Sequence, residues 1–165
     1  MKTNIRNKTM FRNADQNDLD FIYESLENLA YEQKIGDRFK TDKLELHENL
    51  FGQQKLAEVI IAEINDTPIG LAVFSETNRH FMLFKKSGLY LHDLYILPEY
   101  RKQGIATQLI EELKKIAQQR NYGRIDWIVL NDNHLGHQFY SQIENAVKLD
   151  YFQCMRINLS EEEID

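Results

Sequence analysis

Two titratable residues, His92 and Asp93, lie inside a near-continuous apolar run over residues 89–97. Such a run, ended by Pro98, is typical of a strand that is buried on both faces. An imidazole with a pKa of about 6.5 could accept a proton, directly or through water. His92 could equally be a buried histidine that bonds a backbone carbonyl, and Asp93 could pair with a cation. Because successive strand residues point to opposite faces, we expect only one of the two to face a site directly.

A second candidate site follows this strand directly, in the sequence Pro98-Glu99-Tyr100-Arg101-Lys102-Gln103-Gly104-Ile105-Ala106. The small residues Gly104 and Ala106 allow a ligand to approach the backbone closely. Free N–H groups in the first turn of a helix could hold a phosphate or pyrophosphate, and Arg101 and Lys102 add positive charge. The alternative is a plain strand-to-helix connection in which the glycine is needed for steric reasons. The chain contains neither G-x-G-x-x-G nor G-x-x-x-x-G-K-[ST].

The first half of the chain predicts two helices and a hairpin. Helical spacing of apolar residues predicts a helix over residues 15 to about 30, capped by Asp15 or Asn17. A short helix is predicted to start near Asp42, with Glu45 as the capping-box partner. β-Branched residues and turn residues predict a hairpin with strands at 56–64 and 69–74 and a turn at 65–68.

The second half alternates strands and helices. An amphipathic pattern predicts a helix from residue 104 to about 120. Further patterns predict a strand at 125–130, a short helix at 134–141 and a last strand at 151–159, with Cys154 in the core. This order predicts an α+β fold in which helices pack on a mixed sheet.

Composition restricts the function classes. The chain has 165 residues, Lys+Arg 20 against Asp+Glu 26 and a formal net charge of -6, so we expect a single domain over residues 1–165. The acidic balance argues against a nucleic-acid partner and leaves cationic small molecules open as ligands. No apolar run approaches the roughly 18 residues of a membrane span, and no secretory signal is evident, so we expect a cytoplasmic protein without a membrane partner. No Cys/His spacing predicts a metal site, and the single cysteine excludes an internal disulfide.

Two segments resemble one superfamily. Residues 94–106 resemble the Arg/Gln-x-x-Gly-x-Gly/Ala acetyl-CoA signature of the GNAT superfamily of N-acetyltransferases. At the expected distance, Asn133-His134-Leu135-Gly136-His137-Gln138-Phe139-Tyr140 resembles its Asn-x-x-Ala/Gly-x-x-Phe-Tyr segment. The resemblance covers most of the chain and is strongest to the spermidine/spermine and thialysine N-acetyltransferases. It implies the GNAT fold, a central mixed and mostly antiparallel twisted sheet with helices on both faces.

The resemblance also implies acetyl-CoA as co-substrate. Backbone groups of Leu94, Tyr95 and Ile96 would line the acetyl-pantetheine arm, and the Ile96 N–H would polarise the thioester carbonyl. Tyr140 would be the general acid that protonates the departing thiolate, although its ring could instead only pack the short helix. The other implied cofactor contacts are Arg101, Lys102, Gln103, Gly104, Ile105, Ala106, Thr107, Asn133 and Gly136.

On the substrate side, His92 stands where the similar enzymes usually have Glu, and it would act as the base. Tyr31 and Glu32 match substrate-contacting positions, and Asp93 would orient the substrate. Glu32 could grip the distal ammonium of a diamine, or it could be an ordinary solvated residue at a helix end. The acidic segment that the polyamine enzymes carry after Tyr140 is missing here, which with His92 points away from a strict spermidine enzyme.

We therefore expect an N-acetyltransferase that transfers acetyl from acetyl-CoA to a small-molecule primary amine by direct attack in a ternary complex, without a metal. Diamines, polyamines and lysine-like amino acids are the expected substrates. The alternatives are a protein amine or an aminoglycoside as acceptor, a non-catalytic acyl-CoA sensor, and a structural protein without a ligand. The resemblance implies a homodimer. Residues 78–87 could form a loop over the substrate mouth or a dimer contact.

Overall fold

The computed structural model of the chain describes residues 8–79 and 82–159. It divides into two compact units, one up to Ile128 and one from Val129. The regular elements of the first unit are β1 (Met10–Asn13), α1 (Leu19–Glu32), α2 (Lys43–Phe51), β2 (Glu58–Ile64), β3 (Thr67–Thr77), β4 (Gly88–Ile96), α3 (Ile105–Gln119) and β5 (Ile125–Asp126). The second unit contains α4 (His134–Tyr140).

The five strands form one sheet in the order β1-β2-β3-β4-β5. The first four strands pair antiparallel, and β5 runs parallel to β4. Asn65 and Asp66 connect β2 to β3 with φ values of 50° and 61°, the positive angles that a tight hairpin turn requires. The predicted hairpin and the mixed, mostly antiparallel α+β sheet are thereby confirmed.

Helices cover both faces of this sheet. Leu71 and Val73 of β3 belong to a core cluster with Ile22 of α1 and with Leu46 and Leu50 of α2. The alternate residues of β3 point to the opposite face, where α3 contacts β2, β3 and β4. That helix contributes five buried residues to the second core: Ile105, Leu109, Ile110, Leu113 and Ala117.

The start of α1 is tied to β1 and β2 by ion pairs. Two Arg12 guanidinium nitrogens donate to the Asp18 carboxylate at 2.7 and 2.8 Å, and its Nε donates to Glu63 at 2.8 Å. The Asp15 side chain caps the short turn before α1, and Asp18 accepts in return from the Asp15 N–H at 2.9 Å. Of the two predicted caps, Asp15 is therefore the one used. Asp42 likewise caps α2 by accepting from the Glu45 N–H.

The predicted last strand at residues 151–159 is wrong. After a turn at Tyr151 the chain has no regular structure up to residue 159, and its side chains are almost all exposed. Cys154 is exposed and not a core residue. The alternating pattern alone does not make a strand, because a strand also needs a paired neighbour, and no described strand pairs with this segment. None of the helices in the described ranges combines the length and apolar character that crossing a bilayer requires.

Candidate active site

A β-bulge interrupts β4 at His92. Asp93 pairs with Val73 of β3, and Leu91 pairs with Phe74, so His92 is an extra residue without a partner of its own. Directly opposed residues place their side chains on the same face of a sheet. Asp93 therefore lies on the face of Val73, which is the face covered by α1 and α2.

The His92 side chain lies on the same face as Asp93. Its Nε2 is 2.8 Å from the Ser75 Oγ, and its ring meets the Tyr90 ring edge to face with centroids 4.8 Å apart. Ser75 and Tyr90 are themselves paired, and Ser75 lies two residues from Val73 on β3, so these residues share one face. The expectation that only one of His92 and Asp93 could face a site is therefore wrong, because the bulge turns both to the same side.

The two neighbouring groups have pKa shifts of opposite sign. Partial desolvation and the positive charge of Arg79 lower the pKa of His92 below 6.5, although its side chain is exposed and not a buried core histidine. Burial raises the pKa of Asp93 from 3.8 to about 6. Among the described residues no hydrogen bond or ion pair reaches the Asp93 carboxylate. At pH 7 this face therefore carries a neutral imidazole beside an unpaired negative charge.

The bulge also marks the point where β4 and β5 diverge. β5 pairs only with Leu89 and Tyr90 of β4, so it spans Ile125–Asp126 rather than the predicted residues 125–130. A bulge bends and twists its strand, and the parallel pairing ends just before it. Within the described ranges no strand covers the edge of β4 from Leu91 to Ile96.

Backbone groups of β4 point towards that uncovered edge. The Leu97 N–H donates to the Ile69 carbonyl of β3 at 2.9 Å. Hydrogen bonding alternates along an antiparallel pair, so Leu94 and Ile96 direct their N–H and C=O groups away from β3. The predicted contribution of the Ile96 N–H is thus compatible with the direction of the backbone. Tyr95 has its side chain in the core, 3% exposed, and by the same alternation its N–H and C=O point to β3, so its contact with acetyl-pantetheine stays a prediction.

The loop before α3 has the features of an anion site. Lys102 and Gly104 adopt left-handed conformations with φ values of 60° and 79°, and a non-glycine residue in this region stores strain that often marks a ligand site. α3 begins without a side-chain cap and without an acidic residue in its first turn. Its first N–H groups and the positive end of the helix dipole are therefore available to a phosphate group.

The individual side chains of this loop differ in exposure. Lys102, Gln103 and Thr107 are exposed, whereas Ala106 is half-buried and Ile105 is buried. Ile105 can therefore contribute only its backbone N–H to a bound phosphate. Pyrophosphate binding by these residues stays a prediction.

Arg101 and Glu32 are bound to each other. The Arg101 Nη2 lies 2.8 Å from the Glu32 carboxylate, its Nε donates to the Ile96 carbonyl at 2.8 Å, and its guanidinium lies 5.3 Å from the centre of the Tyr95 ring. The cation predicted to face a pyrophosphate is thus already paired, and so is the carboxylate predicted to grip a distal ammonium. Tyr31, the other predicted substrate contact on α1, is 65% exposed.

In the second unit, Asn133 and Gly136 form the start of α4. The Asn133 Oδ1 accepts from the Gly136 N–H at 2.9 Å, and a Cβ on Gly136 would lie 2.7 Å from the Asn133 side chain. Tyr140 ends the helix, half-buried, with its ring edge to face with Phe139 at 5.0 Å. The roles of these residues towards acetyl-CoA, and of Tyr140 as an acid, stay predictions. Within the described ranges no cluster of three or more His, Cys, Asp or Glu residues could hold a metal ion.

A sequence model of the Acetyltransferase (GNAT) family matches residues 22–143, which is most of the chain. The chain belongs to this family. It is therefore an acetyltransferase, and GNAT enzymes generally use acetyl-CoA.

Individual relatives agree with this assignment. Thialysine N-epsilon-acetyltransferase of Bos taurus is 26% identical over 159 residues, covering 89% of this chain and 91% of the bovine protein. An uncharacterized N-acetyltransferase of Archaeoglobus fulgidus is 31% identical over 139 residues, covering 79% of this chain and 88% of its own length. The solved structure of an integron cassette protein from the V. cholerae mobile metagenome matches with a TM-score of 0.74 at 24% identity, over 93% of this chain and 94% of that one. The structural likeness bears on the GNAT fold alone, and it confirms the fold expected from the sequence.

Sequence reasoning did not place three residues beside His92: Ser75, Arg79 and Tyr90. Tyr90 could have been found, because residues two apart on a strand share a face. Ser75 could not have been found in this way, because its place beside His92 depends on the register between β3 and β4. Arg79 lies in the segment 78–87, for which the sequence predicted either a loop over the substrate mouth or a dimer contact, without a periodic pattern that would fix its position.

Proposed function

We propose that this GNAT protein transfers the acetyl group of acetyl-CoA to the primary amine of a small molecule, either a diamine or polyamine or a lysine-like amino acid. The observation that carries the proposal is the bulge that places His92 and Asp93 on one face of β4, with the His92 side chain exposed and that of Asp93 partly buried. An amine arrives protonated and must lose a proton before it can attack a thioester. A carboxylate and a neutral imidazole side by side supply the attraction and the base that this step needs.

The contact between the His92 Nε2 and the Ser75 hydroxyl fits either tautomer of the imidazole, because a hydroxyl can donate or accept. If the Nε2–H donates to the Ser75 oxygen, the lone pair of Nδ1 is free to accept a proton. Asp93 would draw the substrate ammonium, and His92 would take its proton. A lowered pKa of His92 keeps the imidazole in the accepting form at neutral pH.

The transfer then needs one bond formed and one broken. The nitrogen freed by His92 attacks the acetyl carbon directly, so that a C–N bond forms while the C–S bond of the thioester breaks. The Ile96 N–H would stabilise the developing negative charge on the carbonyl oxygen. Tyr140 would give its phenolic proton to the departing thiolate, and the second proton that the nitrogen loses as the amide forms would restore the Tyr140 phenol. No acyl-enzyme is required.

The loop before α3 supports acetyl-CoA as the donor, which supplies the activated acetyl group. The uncapped first turn, with Lys102 and Gly104 in left-handed conformations, offers N–H groups and positive charge to a pyrophosphate. We further propose that both compact units act as one domain, because the family match at residues 22–143 extends into each. A homodimer and a cytoplasmic location stay predictions.

The first experiment measures thiol release from acetyl-CoA with a panel of amines. The panel contains putrescine, spermidine, L-lysine, L-thialysine, an aminoglycoside and a short peptide. A Cys154→Ser background removes the signal of the exposed thiol. We expect turnover with a small-molecule amine class. We expect His92→Gln to lower kcat by about 10²- to 10⁴-fold, the usual contribution of a positioned base.

Two further measurements test the proposed roles of Tyr140 as the acid and of His92 as the base. Tyr140→Phe should lower kcat more than it raises the KM for acetyl-CoA. The acid limb of the wild-type rate should lie below pH 6.5, because the pKa of His92 is lowered and that of Asp93 is about 6. His47→Gln is the matched control on α2 and should leave the rate unchanged. Tight acetyl-CoA binding without turnover of any amine, or an unaffected His92→Gln variant, would contradict the proposal.

A further inference from the structure

An unpaired cation lies beside His92. The guanidinium of Arg79 lies over the Tyr90 ring, 4.3 Å from its centre, and the same ring contacts His92. The Arg79 side chain is exposed, and within residues 8–79 and 82–159 no carboxylate forms an ion pair with it. Its charge still reaches the imidazole electrostatically. The cation is therefore close to the proposed amine site and available to a ligand.

The backbone that presents Arg79 is held in place. The Arg79 N–H donates to the Thr77 hydroxyl at 3.4 Å, and its carbonyl accepts from the Arg124 Nη2 at 3.0 Å. Arg124 is itself fixed by Asp126 at 2.8 Å and by the Lys86 carbonyl at 2.9 Å. A guanidinium stacked on a ring and carried by a fixed backbone is partly pre-organised, which reduces the entropy lost on binding an anion.

The charges on this face are arranged in order along β4. Asp93 provides a negative charge on one side of the neutral His92, and Arg79 provides a positive charge on the Tyr90 side. Glu32, the carboxylate predicted to hold a second ammonium, is neutralised by Arg101. The face therefore matches a substrate with an ammonium at one end and an anion at the other.

We propose that Arg79 is a specificity-determining residue that binds the carboxylate of a lysine-like amino acid while the side-chain amine of that substrate is acetylated. This inference rests on the proposed function and selects one of its substrate classes. A guanidinium binds a carboxylate through two parallel hydrogen bonds. A diamine or polyamine lacks the carboxylate, and a second ammonium near Arg79 would be repelled.

The test compares amines with and without the carboxylate. Cadaverine is lysine without its carboxylate, so kcat/KM is measured for L-lysine, L-thialysine and cadaverine. We expect the wild-type protein to favour the amino acids by about 10- to 100-fold, the range of one charged hydrogen-bonded contact. Arg79→Gln should remove this preference by raising the KM of the amino acids, whereas the kcat/KM of cadaverine should not fall, because the repulsion of its second ammonium is relieved. Lys85→Gln is the control, because Lys85 and Arg79 line one surface cavity and the substitution removes the same charge.

Calorimetric binding of L-lysine and cadaverine separates this inference from the proposed function. If no amine is acetylated but L-lysine binding is lost in Arg79→Gln, the carboxylate site holds and the proposed reaction fails. Equal losses for L-lysine and cadaverine, no wild-type preference, or an equal effect of Lys85→Gln would each overturn the role of Arg79. Arg79 is exposed, so the variant should keep the wild-type melting temperature, which is measured alongside.

Discussion

At the scale of single residues, Asp93 has a proposed function, and the burial of its charge also lowers the stability of the folded protein. A half-buried carboxylate without a described partner is easier to bury protonated than charged, which is why its pKa rises to about 6. Because the folded value lies above the ordinary 3.8, the folded protein binds this proton more tightly than the unfolded chain. The protonated form of Asp93 therefore contributes to the free energy of unfolding. This contribution is complete below pH 3.8 and is lost as the pH rises through 6.

Asp93→Asn should therefore stabilise the protein at neutral pH. The expected gain is about 1–3 kcal/mol at pH 7.5, because the variant no longer buries a charge, and it should nearly vanish at pH 4. Urea denaturation at the two pH values measures it. Acetyl transfer should fall in the same variant, because the attraction for the substrate ammonium is lost.

Asp126→Asn is the matched control for this prediction. Its carboxylate is paired with Arg124 at 2.8 Å, so removing that charge should not stabilise the protein. A gain for Asp93→Asn that is the same at pH 4 and at pH 7.5 would contradict the burial of its charge.

The sequence identified His92 and Asp93 but not their common orientation. Two polar residues inside an apolar run are conspicuous without any structure. A β-bulge, however, depends on the register between β4 and β3, and nothing in the local pattern at His92 marks it. For the same reason the pairing of Glu32 with Arg101 was missed, because these residues are brought together only by the packing of α1 against the sheet.

At the scale of elements, the junction of β4 and α3 combines strain with an open helix end. Gly104 has a φ of 79°, and a Cβ there would meet only the Gln108 side-chain nitrogen at 3.9 Å. Space is thus sufficient for a larger residue, and glycine is favoured by the backbone angle alone. The N–H groups proposed to hold pyrophosphate depend on this angle.

Gly104→Ala should cost about 1–2 kcal/mol, the strain of an L-residue in the left-handed region, and should raise the KM for acetyl-CoA. Gly104→Asn should recover much of both losses, because asparagine tolerates this region better than alanine does. Urea denaturation and initial rates measure the two quantities. If alanine and asparagine behave alike, side-chain bulk and not the backbone angle is responsible.

Helices and turns were predictable from the sequence where residues close together in the chain determine them. The caps at Asp15 and Asp42, the turn at Asn65-Asp66 and the apolar stripe of α3 are all local signals, and each element lies close to its predicted position. The strands at 125–130 and 151–159 were overpredicted, because strand formation requires a partner that the sequence pattern does not supply. β5 is short because its pairing with β4 ends at Tyr90, just before the bulge, and residues 151–159 pair with no described strand.

At the scale of the whole molecule, stability against pH is the net result of opposing groups. The pKa of Asp18 is lowered, first by its hydrogen bond with Arg12, and that of Glu58 by its hydrogen bond with Arg120. Such lowered carboxylates stabilise the fold above their ordinary pKa values and lose this contribution as the pH falls. Asp93 acts in the opposite direction between pH 3.8 and 6, so acid unfolding should depend chiefly on the paired carboxylates.

Arg12→Gln tests this dependence on the most buried of these carboxylates. Asp18 is 5% exposed, and without Arg12 its charge would be left without the cation that stabilises it. The expected loss is about 2–3 kcal/mol at pH 7, below the value for a fully buried pair because Arg12 is partly exposed. The loss should shrink below pH 3.8, where Asp18 is neutral in the unfolded chain and increasingly protonated in the variant.

Urea denaturation across this pH range measures the loss of stability, and the double variant Arg12→Gln/Asp18→Asn is the control. A double variant that regains stability at pH 7 would locate the penalty in the uncompensated carboxylate, whereas an equal loss at pH 3 and pH 7 would assign it to lost packing of the Arg12 side chain.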